Sequence, residues 1–533
     1  MSTLYSGQTS RPQRLLREGM LTMAARCPGK VALVVEGEEY TYGQLKEAAL
    51  RLASALLQQR LRRGDRVAIY MDNTWPCIVS IYATLMAGGV FLVVNPQTKA
   101  EKLRYILNDS GSSILITDVH LAGQFTLATE SPTRLLAIIS SGDISRIASR
   151  NIPLYSFDSV LKQHAPLARP GFVIPTDLAA LIYTSGSTGT PKGVMQTHQA
   201  MVFAAWSLIE YLRLADNDRI LLVLPLAFDY GLYQLFMAMK IGATLVVERS
   251  FTFPGKIYQV MRDQGVTVFP GVPTIFATMI AGHKRKPLSF PGVRRVTNTA
   301  AALAPETIPY LREIFPGALL FKMYGLTECK RVSYLAPELL DEKPASVGRA
   351  IPGTEVFLRT PDGNLAQKGE PGILYVRGPH IMAGYWRQPE LTAKVLRPGP
   401  VPGERILCTG DWFWMDEDGD LYFSGRSDDI IKTRGEKVSP MEVEQVLRSM
   451  EGVHEAVVAA VPDPWLGEAI CAFVVPEEES CLQERRIRKF CLARLENFMV
   501  PRDIILVDEL PLTVNGKVDK MALLAIHYPD TQP

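Results

Sequence analysis

Short apolar runs alternate with stretches of helical periodicity through the first half of this chain, and that alternation limits its fold more than any other feature. Residues 67–70, 114–116 and 181–183 have the composition of strands that are buried on both faces. Thr41 and Gln44 form a predicted capping box, and the apolar residues that follow recur at helical spacing. Because strands separated by helices pair in parallel, the sequence predicts an α/β fold with parallel-rich sheets.

A second, smaller unit is predicted at the C-terminal end. The 533 residues exceed what one hydrophobic core normally organises, so two or more domains are expected. Ser439, Pro440 and Glu442 predict a helix start, as the N-cap, the first-turn proline and the capping-box acid. Strand-like runs follow that helix. We place the boundary at Arg426–Asp428, which divides a large core at 1–427 from a small α+β unit at 428–533.

The charge balance of the whole chain gives no reason to expect a nucleic-acid or anionic-membrane partner. The 57 basic and 55 acidic residues leave a formal net charge of +2, which favours neither nucleic acid nor an anionic membrane. One basic cluster stands out, and a solvated helix face is favoured for it over a docking patch for an acidic partner. Its members are Arg485, Arg486, Arg488 and Lys489.

Membrane and export signals are absent from the sequence as printed. No run reaches the ~18 apolar residues that a membrane-spanning helix needs, and the first twenty residues lack the apolar core of a signal peptide. The seven cysteines form no Cys-x-x-Cys pair, so neither a zinc site nor a disulfide framework is expected. We therefore expect a cytoplasmic protein with reduced thiols.

The densest chemical signal is a loop rich in glycine and hydroxyl residues at 183–193, YTSGSTGTPKG, which directly follows a predicted strand. Backbone N–H groups, hydroxyls and Lys192 in such a loop suit phosphate oxygens. A P-loop would need Gly-x-x-x-x-Gly-Lys-Ser/Thr. Here Pro191 stands in place of the second glycine and Gly193 in place of the hydroxyl residue, which disfavours a P-loop NTPase.

This loop and four later motifs, in this order, resemble the adenylate-forming superfamily. That superfamily includes acyl- and aryl-CoA synthetases, luciferases and the adenylation domains of nonribosomal peptide synthetases. The resemblance spans roughly residues 20 to 525. The four later motifs are MYGLTE at 323–328, TGD at 409–411, GRSDDIIKTRG at 425–435 and PLTVNGK at 511–517.

The resemblance implies an AMP-binding core, a mobile C-terminal domain and a hinge between them at Asp428. It implies ATP and Mg²⁺ as cofactors, with Thr188 and Glu328 placing the metal. Lys192, Glu328 and Lys517 are the implied catalytic residues, and Lys517 is expected to bridge the acid and the nucleotide. Nucleotide binding is implied for Thr184, Ser185, Gly186, Ser187, Thr188, Gly189, Tyr324, Gly325, Thr327, Asp411, Arg426 and Lys432.

Several roles follow from the resemblance. Tyr324 is expected to stack on adenine, and Asp411 to accept hydrogen bonds from the ribose hydroxyls, a bidentate task that suits a carboxylate. Lys432 and Gly435 are expected on the segment that reaches the thiol tunnel in the second half-reaction, after the small domain has swung about its hinge.

Counting onward by motif gives an expected pocket for the acid. Asp229 occupies the place where peptide-synthetase adenylation domains bind a substrate amine. Arg331 pairs either with Asp229 or with a second acid group on the substrate, and the sequence leaves this open. Because an unpaired buried charge is costly, we expect a compact polar or amino acid rather than a long-chain fatty acid. The expected lining is Asp229, Tyr230, Tyr233, Thr274, Thr297, Thr299, Met323, Arg331 and Val332.

The predicted function is therefore an ATP-dependent acid–thiol ligase that forms an acyl-adenylate and passes the acyl group to a thiol. No carrier domain follows Lys517 in the printed chain, so CoA or a separate acyl or peptidyl carrier protein is the expected acceptor. The alternatives are a fatty- or aryl-acyl-CoA synthetase proper, a luciferase-like oxygenase and a non-catalytic binding scaffold. The intact Lys192, Glu328, Asp411, Arg426 and Lys517 argue against the scaffold.

Overall fold

The computed structural model describes most of the chain and confirms the predicted elements of its first half. The described residues are 13–130, 133–147, 152–184, 190–299, 303, 305–360, 362–426, 431–477, 480, 482–511 and 518–528, without the side chains of 425, 426, 437 and 441. Their helices are α1 (Glu18–Arg26), α2 (Tyr42–Gln58), α3 (Trp75–Ala87), α4 (Ala100–Ser110), α5 (Ala122–Thr129), α6 (Phe157–Gln163), α7 (His198–Tyr211), α8 (Asp229–Ile241), α9 (Pro254–Asp263), α10 (Pro273–Arg285), α11 (Ile308–Ile314), α12 (Pro389–Val395), α13 (Pro440–Arg448), α14 (Glu484–Arg494) and α15 (Lys520–His527).

The strands alternate with these helices up to residue 324 and then dominate. They are β1 (Val31–Val35), β2 (Glu38–Thr41), β3 (Arg66–Tyr70), β4 (Val90–Val94), β5 (Ile114–Asp118), β6 (Ala137–Ser141), β7 (Leu154–Ser156), β8 (Leu178–Thr184), β9 (Lys192–Thr197), β10 (Arg219–Leu222), β11 (Thr244–Val247), β12 (Val268–Gly271), β13 (Arg295–Asn298), β14 (Leu319–Tyr324), β15 (Ser333–Leu335), β16 (Arg349–Ala350), β17 (Glu355–Arg359), β18 (Gly372–Arg377), β19 (Gly384–Tyr385), β20 (Leu396–Pro398), β21 (Arg405–Met415), β22 (Leu421–Arg426), β23 (Ile431–Thr433), β24 (Glu436–Val438), β25 (Val453–Asp463), β26 (Gly467–Pro476) and β27 (Asp503–Leu506).

Two large, mostly parallel sheets form the body of the molecule, which confirms the predicted α/β class. One has the order β19-β9-β8-β4-β3-β5-β6-β7, and its strands from β8 to β7 pair in parallel. The other has the order β16-β15-β14-β13-β12-β10-β11-β1-β2, with antiparallel strands only at its two ends. Helix α3 is buried at every position from residue 77 to residue 87, because it packs in the core that these sheets share.

Two smaller sheets follow. The third, β17-β18-β21-β20 with β22 paired to β21, is antiparallel and contains an aromatic hairpin near residue 420. The fourth, β24-β23-β26-β25 with β27 paired to β26, has its own core with α13 and α14. It corresponds to the small α+β unit. The boundary predicted at Asp428 lies outside the described residues, so the division at 427 and 428 stays a prediction.

The two predicted capping boxes have different outcomes. Thr41 and Gln44 form a complete capping box at the start of α2, as predicted. Pro440 does begin α13, but the Ser439 side chain makes no capping hydrogen bond there, so the second box was wrong. The Glu442 carboxylate instead pairs with Lys102 of the large unit at 2.7 Å. A tertiary ion pair has replaced the local cap.

None of the helices in the described part of the chain has both the length and the apolar character that crossing a membrane would require.

Candidate nucleotide and acid site

The strands that flank the Gly-rich loop, β8 and β9, form an antiparallel pair. Thr184 and Lys192 are opposite residues in the antiparallel pair of β8 and β9. A P-loop joins a strand to a helix, so this strand-to-strand connection agrees with the exclusion of a P-loop NTPase. Thr184 Oγ1 is buried and has no hydrogen-bond partner among the described residues. The intervening Ser185, Gly186, Ser187, Thr188 and Gly189 lie outside the described residues.

A tyrosine joins the two catalytic candidates of the large unit. Lys192 Nζ donates a hydrogen bond of 2.9 Å to the Tyr385 hydroxyl, which donates one of 2.7 Å to Glu328 Oε1. The ammonium also lies 4.3 Å from the centroid of the Tyr385 ring and 3.7 Å from Glu328 Oε1. Glu328 is 8% exposed. The structure thus brings together Lys192 and Glu328, which are 136 positions apart in the sequence.

A hydrogen bond between Tyr324 and Asp411 joins the second sheet to the third. The Tyr324 hydroxyl, at the end of β14, donates a hydrogen bond to Asp411 Oδ2 on β21. Asp411 is 1% exposed and lies opposite Arg426 in the β21–β22 pair. The Arg426 side chain is outside the described part, as are all of Asp428 and Lys517. Lys432 Nζ lies 6.0 Å from the Tyr324 ring centroid.

ATP and Mg²⁺ fit the residues that are present. The unpartnered hydroxyl of Thr184 and the amine of Lys192 are donors suited to phosphate oxygens. Glu328 supplies a buried carboxylate oxygen, the ligand type that Mg²⁺ prefers.

Backbone packing requires a glycine at position 325, because a Cβ atom there would lie 2.4 Å from the carbonyl oxygen of Lys330. The Thr327 carbonyl accepts a hydrogen bond from Gln196.

The expected acid pocket is only partly assembled as predicted. A cavity of about 150 Å³ is lined by four of its nine expected residues: Asp229, Tyr230, Thr299 and Arg331. Tyr233, Thr274, Thr297, Met323 and Val332 do not line this cavity. Val332 packs instead in the apolar cluster of the third sheet, and Thr297 accepts a hydrogen bond from the Tyr230 hydroxyl. Counting positions from the motifs predicts on which strand a pocket residue lies, but not on which face of that strand its side chain points.

The partner of Asp229 is Lys330 rather than Arg331. Lys330 Nζ lies 3.3 Å from Asp229 Oδ2 and donates a 2.9 Å hydrogen bond to the Asp229 carbonyl oxygen. Burial lowers the pKa of Lys330 to about 7, and the neighbouring Arg331 acts in the same direction while Asp229 opposes it. The pairing of Arg331 with Asp229, one of the two possibilities left open by the sequence, is therefore wrong.

Arg331 is 1% exposed and lines the cavity. One of its amino groups donates to Thr299 Oγ1, and its guanidinium lies 5.5 Å from the Tyr230 ring centroid. Its Nε and Nη2 atoms are buried and have no hydrogen-bond partner among the described residues. The Tyr211 hydroxyl is a further polar neighbour of this guanidinium. Donors of a buried cation are costly when unmatched, so the group can still take another acceptor.

Comparison with known proteins identifies the family. A model of the AMP-binding enzyme family matches residues 21–386, and that of the AMP-binding enzyme C-terminal domain matches residues 442–517. This chain belongs to the AMP-binding enzyme family. It is 31% identical to the long-chain-fatty-acid–CoA ligase of Bacillus subtilis (strain 168), over 96% of this chain and 94% of that ligase. It is also 31% identical to bacitracin synthase 3 of Bacillus licheniformis, over 94% of this chain and 8% of that synthase.

Solved structures of o-succinylbenzoate CoA synthetase from Bacillus subtilis, 26% identical, share the fold. One, a double mutant bound to the product analogue OSB-NCoA, gives a TM-score of 0.83 over 95% of this chain and 98% of that chain. Another, in complex with the acyl-adenylate intermediate OSB-AMP, gives 0.68 over 95% of this chain and 97% of that chain.

The family confirms what the sequence motifs implied about the reaction class. This AMP-binding enzyme is an AMP-forming acid–thiol ligase of the adenylate-forming superfamily, and it uses ATP and Mg²⁺. The scaffold and luciferase-like alternatives thereby lose their support. The roles of individual residues stay predictions.

The small unit of this AMP-binding enzyme contributes to the same cavity. Arg434, Gly435 and Glu436 line it beside residues of the large unit. A Cβ atom on Gly435 would lie 2.9 Å from the side chain of Val272, so the two units touch at this turn. Lys102 pairs with Glu442 at 2.7 Å and with Glu496 at 3.1 Å, and this cluster also joins the two units.

Sequence reasoning missed Tyr385, Lys330 and Glu436. Nothing local distinguishes Tyr385, whose role depends on two distant residues. Lys330 is one of few non-glycine residues with positive φ, at 64°, a conformation that concentrates at functional sites. Its position beside Arg331 in the sequence was the only available signal.

Proposed function

We propose that this AMP-binding enzyme activates a compact acid that carries a second, negatively charged group, and passes the acyl group to the thiol of CoA or of a separate carrier protein. The single observation that supports the second charge is Arg331, which lines the cavity and has two buried guanidinium donors without a hydrogen-bond partner among the described residues. A carboxylate is the acceptor that best suits a guanidinium, because it accepts two parallel N–H bonds.

The charges of the cavity wall favour such a substrate over a simple fatty acid. Four cations line the cavity, Lys102, Lys330, Arg331 and Arg434, against three acids, Asp229, Glu436 and Glu496. A distal anionic group would balance this excess, whereas a methyl-terminated chain would leave it buried and unpaired. Asp229 can bind a substrate amine, as predicted, only if its carboxylate contacts both the amine and Lys330. We therefore expect the distal anionic group to contribute more to substrate recognition than an amino group.

The first half-reaction joins the substrate carboxylate to the α-phosphorus of ATP and releases pyrophosphate. In the proposed site Thr184 and Lys192 hold phosphate oxygens, while the Tyr385 hydroxyl fixes the positions of Lys192 and Glu328. Bound Mg²⁺, held through Glu328, would supply charge neutralisation. Asp411 would receive the ribose hydroxyls, and Lys517 would reach the carboxylate. Such catalysis rests mainly on positioning and electrostatics.

We infer that the two units are arranged here for the second half-reaction. The match to o-succinylbenzoate CoA synthetase covers the same share of this chain in both of its states, yet the TM-score is 0.83 for the product-analogue complex and 0.68 for the adenylate complex. The contact of Gly435 with Val272 points the same way. Both observations support an arrangement suited to thiol transfer.

The acceptor and the cellular location stay proposals. The relatives include both a CoA ligase of similar length and bacitracin synthase 3, a far longer protein, so CoA and a carrier protein have equal support. The cytoplasm, expected from the sequence, is the proposed location.

The test is acid-dependent exchange between ATP and pyrophosphate over a panel of matched acids. We expect exchange to be strongest with short dicarboxylic acids, for example succinate over butanoate, each compared with its α-amino derivative. Exchange that is strongest with a long-chain fatty or plain aryl acid would contradict the proposed substrate class. No Mg²⁺-dependent exchange with any acid, from folded protein, would contradict the ligase assignment itself.

A further inference from the structure

The turn between β23 and β24 carries a carboxyl group into the cavity. Thr433 and Glu436 are paired residues that flank a two-residue turn. Arg434 and Gly435 both have positive φ, 55° and 82°, which is the pattern of a type I′ hairpin turn. Because Gly435 lies against Val272, the tip of this hairpin is pressed onto the large unit. Glu436 begins β24 and lines the cavity.

The described charged groups around Glu436 form their ion pairs with one another and not with its carboxyl group. The acids of the cavity wall are Asp229 and Glu496, and its cations are Lys102, Lys330, Arg331 and Arg434. Lys330 is paired with Asp229, and Lys102 with Glu442 and Glu496. Among the described residues, no hydrogen bond or ion pair involves the Glu436 carboxyl group. Burial, with the charges of Asp229 and Glu496, holds the pKa of Glu436 well above its usual range.

A thiol-transfer step needs a proton acceptor for the attacking thiol. A thiol has an ordinary pKa of about 8.5 and is mostly protonated at neutral pH, while the thiolate is the nucleophile. An ordinary carboxylate is a weak base for such a proton, and a carboxylate whose pKa is raised towards neutrality is a better one. The small unit delivers Glu436 to the cavity only through the docked hairpin.

We propose that Glu436 is the general base that removes the thiol proton in the second half-reaction. In this step, which rests on the proposed function, the S–H bond breaks and the proton moves to a Glu436 oxygen. The sulfur forms a bond to the acyl carbon, and the bond from that carbon to the AMP oxygen breaks, so that AMP leaves with the electron pair. The proton then passes to water. Docking of the β23–β24 hairpin therefore places the base in the cavity and makes the thiol-transfer step possible.

The test compares Glu436→Gln with the matched control Glu451→Gln, an exposed glutamate of the same unit. Single-turnover formation of thioester is followed with CoA and with free phosphopantetheine as thiols. At pH 7 we expect Glu436→Gln to slow thioester formation by about 10²-fold or more, with a much smaller loss in ATP–pyrophosphate exchange. The control is expected to behave as the wild type in both assays.

The pH profile separates a base from a structural residue. Above about pH 8.5 the thiol ionises by itself, so the ratio of wild-type to Glu436→Gln rates is expected to fall as pH rises. A ratio that does not change with pH, or equal losses in both half-reactions, would overturn the proposal.

A second measurement does not depend on knowing the acid. The Glu436 carboxyl is assigned in protein labelled with ¹³C-glutamate, by the signal lost in Glu436→Gln, and is titrated in the full chain. We expect it to titrate above the ordinary glutamate value of about 4.3. An ordinary titration would overturn the inference, even if wild-type exchange failed with every acid and the proposed function fell for that separate reason.

Discussion

At the scale of single residues, the hydroxyl of Tyr385 connects the phosphate-binding lysine to the metal-binding glutamate. It accepts from Lys192 and donates to Glu328, so two charged groups depend on one neutral atom for their spacing. Hydrogen bonds to charged groups contribute about 1.5–3 kcal/mol each. Tyr385 thus holds both charges in place without itself needing to touch the reacting atoms.

Tyr385→Phe keeps the ring beside Lys192 and removes only the hydroxyl. We expect a rate of acid-dependent pyrophosphate exchange lower by about tenfold to a hundredfold, and a higher Mg²⁺ concentration for half-maximal exchange. Tyr375→Phe, on β18 of the third sheet, is the matched control and should change neither quantity. An unaltered Mg²⁺ requirement in Tyr385→Phe would contradict the positioning role.

The proposed anion site makes a prediction about Arg331. Arg331→Met preserves much of the side-chain volume but removes the buried charge. Losing one partner of a buried charge pair costs about 2–5 kcal/mol, so kcat/KM for the preferred acid should fall by at least about thirtyfold. The exchange rate with an acid lacking the distal group should fall far less. Equal losses with both acids would indicate that Arg331 only supports the fold.

Lys330 makes the same site sensitive to pH. Because burial lowers its pKa to about 7, the free enzyme carries this charge below about pH 7 and loses it above. A bound anion favours the charged form, so KM for a dianionic acid should rise as pH increases from about 6 to about 8. Lys330→Met should show a high KM with little pH dependence over that range. A wild-type KM that is constant across this range would contradict an anion beside Lys330.

At the scale of elements, hydrophobic periodicity and the capping motif were enough to predict the strands before the Gly-rich loop and the helix after Thr41. They failed where a distant charge decided the outcome. Ser439 and Glu442 have the spacing of a capping box, but the Glu442 carboxylate forms an ion pair with Lys102 instead of accepting a hydrogen bond from a backbone N–H. The acid pocket was only partly predictable, because the faces of β13, β14 and the following segment depend on tertiary register.

The β23–β24 hairpin is the element whose substitution should separate the two half-reactions. Gly435→Ala places a methyl group 2.9 Å from Val272 and strains a positive φ. We expect thioester formation to slow much more than pyrophosphate exchange. Gly419→Ala carries similar backbone strain, with φ of 87°, but its Cβ meets only the end of the Lys368 side chain, at 3.6 Å. If Gly419→Ala slows thioester formation equally, the effect is strain and not docking.

At the scale of the whole molecule, an ion-pair cluster, here called the interlock, joins the two units through Lys102, Glu442 and Glu496. The ammonium lies 2.7 Å from one carboxylate and 3.1 Å from the other, and Thr98 also donates to Glu496. Burial raises the pKa of Glu442, which Lys102 opposes. Without the lysine, two acids would be buried side by side, an arrangement that favours separation of the units.

Lys102→Met should therefore shift the enzyme away from the docked arrangement. We expect slower thioester formation, with pyrophosphate exchange kept or increased. Lys162→Met, an exposed lysine of α6, is the control for loss of one positive charge and should leave both steps unaltered. Small-angle X-ray scattering of the free protein should show a larger radius of gyration in Lys102→Met than in the wild type, and no difference would contradict the interlock.

The central claim is that one chain performs two half-reactions with its small unit in two arrangements. Single-turnover kinetics of Lys517→Ala and Lys102→Met, each started either from acid plus ATP or from the synthetic acyl-adenylate plus CoA, tests it most directly. The account predicts a crossed pattern. Lys517→Ala should slow adenylate formation by about 10²–10³-fold and spare the thiol step, since one preorganised charge is typically worth that much, while Lys102→Met should do the reverse. Equal losses of both steps in both variants would contradict it.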